Sequence, residues 1–97
     1  MSLNYKTVYL EDNSALYIFE APRVMRRVFL GVYIVAWADM SFTAHISFDD
    51  PHFRSYYVLD GPAKYFEARG EGIFQGDVWV RNRSLTNLTY SVTEILH

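Results

Sequence analysis

The chain has 97 residues, 51% of them apolar and 21% charged, with a formal net charge of −2 and no cysteine. That composition lies far from the polar, highly charged regime in which chains fail to collapse, and the length allows one core, so a single domain over residues 1–97 is expected. Without cysteine there is neither a disulfide framework nor thiolate chemistry, and an acidic balance with seven Arg and two Lys scattered along the chain argues against nucleic acid as a partner.

The opening Met1 to Val8 carries neither the apolar centre nor the small-residue cleavage site of a secretory signal. A cytoplasmic location is therefore expected. A first strand is expected near Tyr5 to Leu10 and a second near Ala15 to Glu20, with Glu11-Asp12-Asn13-Ser14 between them as a hairpin turn. Pro22 then interrupts the chain. Val24 to Ala38 reads as a long third strand with a bulge or bend at Gly31, and its apolar residues on both sides predict that both faces are covered. Its apolar run, Val28 to Ala38, is well short of the ~20 residues that a membrane-spanning helix requires, so it is read as a buried strand and no membrane partner is expected.

The clearest alternation lies at Ser41 to Asp49, where Phe42, Ala44, Ile46 and Phe48 face one way and Ser41, Thr43, His45, Ser47 and Asp49 the other. Asp49-Asp50-Pro51-His52 makes a turn, and Phe53 to Leu59 is a fifth strand ending at Asp60-Gly61-Pro62. Ala63 to Arg69 and Ile73 to Asn82 read as a hairpin around Gly70-Glu71-Gly72, and Leu88 to Leu96 closes the series after the loop Arg83 to Asn87. With nine Val, five Ile, five Thr and seventeen aromatics, and no apolar stripe of helical period, the expected fold is all-β: an antiparallel, jelly-roll-like sandwich of two sheets and about eight strands.

No segment carries a catalytic motif. The chain lacks a Gly-x-Ser-x-Gly elbow, a phosphate-cradling loop and a dinucleotide fingerprint, so no enzyme, catalytic residue or cofactor is assigned. Asp49, Asp50 and His52, with His45 on the preceding strand, include groups that bind metals, but the spacing matches no metal motif and Asp-Asp-Pro is also what a turn favours. The turn reading is preferred, and no metal residue is assigned. The sequons Asn82-Arg83-Ser84 and Asn87-Leu88-Thr89 have no evident use without a secretory signal.

The aromatic content, 18%, is the feature that points outward. Trp79 shares a strand face with Asp77 and Arg81, and Tyr56 shares one with Arg54 and Val58, which makes Arg54, Tyr56, Trp79 and Arg81 the candidate interaction surface. The last third, Gly70-Glu-Gly-Ile-Phe-Gln-Gly-Asp-Val-Trp-Val-Arg-Asn-Arg-Ser with Leu88-Thr-Tyr-Ser-Val-Thr-Glu-Ile-Leu, resembles the closing strand pair of small β-sandwich virion proteins of tailed phages. That resemblance implies an accessory structural protein that decorates a capsid or joins virion parts, and it carries over no functional residue. The expected function is a non-catalytic structural or interaction protein that assembles with itself or on a larger particle. The alternative is a carbohydrate-binding module using Tyr and Trp faces, and a single-strand nucleic-acid binder comes third.

Overall fold

A computed structural model describes residues 1–69 and 76–97. Among these residues eight strands form: β1 (Ser2–Leu10), β2 (Ala15–Phe19), β3 (Arg27–Ala36), β4 (Phe42–Phe48), β5 (Tyr57–Gly61), β6 (Ala63–Arg69), β7 (Val78–Asn82) and β8 (Leu88–Leu96). They make two four-stranded antiparallel sheets, β1-β8-β3-β6 and β2-β7-β4-β5, here called sheets A and B. This is the jelly-roll arrangement, in which the chain passes from one sheet to the other at nearly every connection.

Side-chain alternation builds the core. Leu30, Val32, Ile34 and Ala36 of β3 and Leu88, Tyr90 and Val92 of β8 face Phe42, Ala44 and Ile46 of β4 and Val78 and Val80 of β7, all buried. Tyr90 is fully buried in the middle of this cluster, where burial pushes its phenol above the ordinary range, and its hydroxyl finds no hydrogen-bond partner among the described residues. Near one end of the sandwich the core turns ionic. Arg27 donates from Nε to Glu94 Oε1 at 2.7 Å and from a terminal nitrogen to the Gly76 carbonyl at 2.8 Å, while Asn4 donates to the other Glu94 oxygen at 3.0 Å.

Several sequence expectations need correction. The Glu11–Ser14 turn is tight, with Ser14 N–H donating to the Glu11 carbonyl at 3.3 Å, yet β1 and β2 lie in different sheets and do not form a hairpin. The same holds for β6 and β7, which pair with β3 and with β2 and β4; the Gly70-Glu71-Gly72 turn itself and Ile73 to Gln75 lie outside the described residues. Each strand buries one face against the opposite sheet, and crossing over places both partners on the same core.

The third strand is shorter than expected, because after Ala36 the chain enters a single 3₁₀ turn, Trp37–Asp39. Its irregularity sits between Arg27 and Phe29 and not at Gly31, which pairs regularly with Glu67 and Thr93. Gly31 serves a different purpose: a Cβ there would come within 3.0 Å of the Phe29 ring and the Tyr65 hydroxyl, both of which lie across its backbone. Nor is the outer side of β3 covered by another layer, since Tyr33 is exposed. The fifth strand begins at Tyr57, not Phe53. Asp50 holds residues 52–55 in a curled loop, accepting from the backbone N–H groups of His52 (2.9 Å), Arg54 (2.6 Å) and Ser55 (3.2 Å).

Candidate functional site

The outer face of sheet B receives that loop. Phe53, at φ 54°, is buried beneath the Arg81 guanidinium, 4.3 Å from its ring centroid, and Tyr56 stacks on His45 with centroids 4.0 Å apart and planes 16° from parallel. Arg81 can only donate, so the 2.8 Å approach of its Nη2 to His45 Nδ1 requires a neutral imidazole that accepts there and carries its proton on Nε2. Burial, followed by the charges of Arg81 and Arg83, holds the His45 pKa below its ordinary value, in keeping with that geometry.

Of the four residues expected to form an interaction surface, the structure therefore joins Tyr56 and Arg81 through His45 and Phe53. Trp79 turns away toward β2 and packs on Tyr17 at 5.0 Å between centroids. Arg54 extends into solvent, its Nε 3.7 Å from Asp50 Oδ1. These aromatic and guanidinium groups pack largely on one another. In the segment Asp49 to His52, read from the sequence as a turn, three amides and Arg54 converge on the Asp50 carboxylate, and the Asp49 backbone N–H donates to the Asp77 carbonyl at 2.7 Å. Among the described residues no group of three or more His, Cys, Asp or Glu is placed to hold a metal. Asn82 of the first sequon is buried, its amide donating to the carbonyls of Thr86 (2.7 Å) and Glu11 (3.1 Å), so it ties two loops together.

The outer face of sheet A is different. The register aligns Leu3, Tyr5, Thr7 and Tyr9 of β1 with Ile95, Thr93, Ser91 and Thr89 of β8, and these with Phe29, Gly31, Tyr33 and Val35 of β3. Twelve adjoining positions carry no charge. The first charges appear on the flanking strand β6, where Glu67 and Arg69 pair with each other and Arg69 also lies over Phe29 at 4.8 Å. Leu3, Tyr5, Tyr9, Tyr33 and Tyr65 are all exposed. At strand spacings of ~4.8 Å across and ~3.4 Å per residue along, this face covers roughly 350–500 Å². The sequence reading missed it, although alternation along Leu3, Tyr5, Thr7 and Tyr9 was there to be read.

No family model and no curated protein matches the chain. Among solved structures it is similar to the Yersinia pseudotuberculosis-derived mitogen, at 14% identity and a TM-score of 0.58, over 99% of this chain and 86% of that one. It is also similar to a protein of the Bacillus endospore appendages, described as disulfide-linked pili, at 10% identity and a TM-score of 0.55, over 99% of this chain and 88% of that one. At such identities the likeness is one of fold.

Proposed function

We propose that this protein is a non-catalytic subunit that assembles, with copies of itself or on a larger particle, through the outer face of sheet A. The observation that carries this reading is the run of twelve uncharged positions over three adjacent strands, with tyrosines standing in solvent. Ordinary surfaces intersperse charges; interface centres lose them and gain Tyr. The edge of β1 away from β8 adds a row of backbone donors and acceptors that, among the described residues, no strand of sheet A pairs, a feature that invites pairing with a neighbour.

The area sets the strength. A patch of roughly 350–500 Å² per partner falls below the ~800 Å² of a stable pairwise interface, so the contact is weak singly and effective when repeated. The likeness to a pilus protein supports an assembling role for the fold, but no disulfide can link copies of these 97 residues. A phage virion is the particle suggested by the resemblance in the last third of the chain.

Sedimentation velocity across a concentration series tests this reading. Wild type is expected to show a rising weight-average mass, and Tyr33→Glu with Thr93→Glu to sediment as a monomer at the same concentrations. A monomeric wild type that also fails to bind any particle, or an association unchanged by the double variant, contradicts it.

A further inference from the structure

At the end of the sandwich where β1 and β3 finish and β8 begins, the structure holds a cleft of about 830 Å³. Thr89 of β8 lines it, with Tyr9 of β1 beside it in register, and Trp37, in the 3₁₀ turn after β3, lines it as well. Both aromatics are open to solvent, Tyr9 at 80% and Trp37 at 73% exposure. Glu11, Asp39 and Asn87 supply polar groups around the rim.

Trp37 is held, not merely left outside. Its N–H donates to the Asn87 carbonyl at 3.2 Å, and its own carbonyl accepts from Met40 N–H at 3.1 Å. The two residues between them, Ala38 and Asp39, both take left-handed backbone angles (φ 53° and 54°), which non-glycine residues resist. The indole also borders a second recess of about 530 Å³ beside Met40 and Leu85. The main chain of Trp37 is thus tied down on both sides while its side chain stands 73% exposed.

We propose that this cleft binds a neutral saccharide, with Trp37 and Tyr9 as stacking platforms and Glu11, Asp39, Asn87 and Thr89 hydrogen-bonding to its hydroxyls. The chemistry follows from the lining. A sugar ring offers an apolar C–H face to an aromatic and hydroxyls that both donate and accept, and the rim offers carboxylate acceptors together with an amide and a hydroxyl that also donate. No Lys, Arg or His lines the cleft, so an anionic ligand meets only repulsion. An ammonium ion would use the rings and carboxylates but not the donors, and would fill a small part of the volume. This inference does not rest on assembly. Tyr9 and Thr89 belong to both the cleft and the uncharged face, whereas Trp37 and Asp39 lie off that face, so variants at those two test the cleft alone.

The test places the full chain on an array of neutral oligosaccharides, including chitotriose, cellotriose, maltotriose and lactose, and follows positives by calorimetry. Trp37 emission is read in a Trp79→Phe background, with choline chloride as the cationic probe. At least one neutral sugar is expected to bind saturably and shift Trp37 emission to the blue. Trp37→Ala and Asp39→Ala are expected to weaken it about tenfold or more with melting temperatures near wild type, and Tyr33→Glu to leave it unchanged. Absence of binding across the array, binding that survives Trp37→Ala, or saturable binding of choline alone would overturn the proposal.

Discussion

Glu94 and His45 show how two polar residues in similar β surroundings come to differ. Glu94 is 2% exposed and meets Arg27 and Asn4, a pair of charges removed from water and held by direct hydrogen bonds. Glu94→Ala takes the carboxylate away from both Arg27 Nε and Asn4 and is expected to lose about 3–5 kcal/mol in urea unfolding, whereas Arg27→Met with Glu94→Leu, which removes both charges from the core, loses much less. Equal losses in the single and double variants would show that packing, not charge, dominates there. His45 instead sits at the surface of sheet B as a neutral acceptor for Arg81. Its folded pKa lies below the ordinary 6.5, so the unfolded chain binds this proton more readily. The associated stability is fully present above pH 6.5 and is lost as pH falls from there toward the folded value. Melting temperatures recorded between pH 7.5 and 5 are expected to decline less steeply in His45→Gln, which keeps an acceptor for Arg81 but cannot titrate. Asp50 titrates in a separate window: burial alone would raise it, but the backbone donors of His52, Arg54 and Ser55 hold it below 3.8, so its contribution is lost only in stronger acid.

The connections between strands carry constraints that single residues do not reveal. Gly76, just before β7, packs so closely on the Asp49 turn that a Cβ would collide with the Asp49 side chain and come within 2.9 Å of its backbone nitrogen. Gly76→Ala is therefore expected to cost about 1–3 kcal/mol by forcing the β4–β5 loop away from β7, with a loss of Arg27's carbonyl partner as a second consequence. Stability equal to wild type would mean that the turn yields freely. Elements of this kind were only partly legible in the sequence. The alternation of Phe42 to Phe48 and the bounds of β6 and β8 follow from side-chain pattern and punctuation, because both are local properties. Which sheet a strand joins is not local: Glu11 to Ser14 specify a reversal, but the reversal leads across the core instead of back along β1. Phe53 belongs to a loop because Asp50 captures three amides, a competition between side chain and ladder that strand propensity does not register. That Tyr56 and Arg81 meet through His45 depends on the β4–β7 register, and Trp37 was hidden at the end of an apolar run.

Taken together, the two sheets give the molecule two unlike outer surfaces. Sheet B covers its own face with the loop through Phe53 and Tyr56 and keeps charges there, whereas sheet A leaves an uncharged tyrosine and threonine lattice open, with a cleft at one end. Among the described residues no helix is long and apolar enough to cross a membrane. The most direct measurement is a concentration series of amide NMR spectra on the full chain. The account predicts shifts and broadening that grow with concentration, or with addition of the particle it joins, at Tyr5, Tyr33 and Thr93, while Thr43, Val58 and Asp60 on the outer side of sheet B stay fixed. Perturbation centred on sheet B, or none on sheet A under either condition, would contradict it.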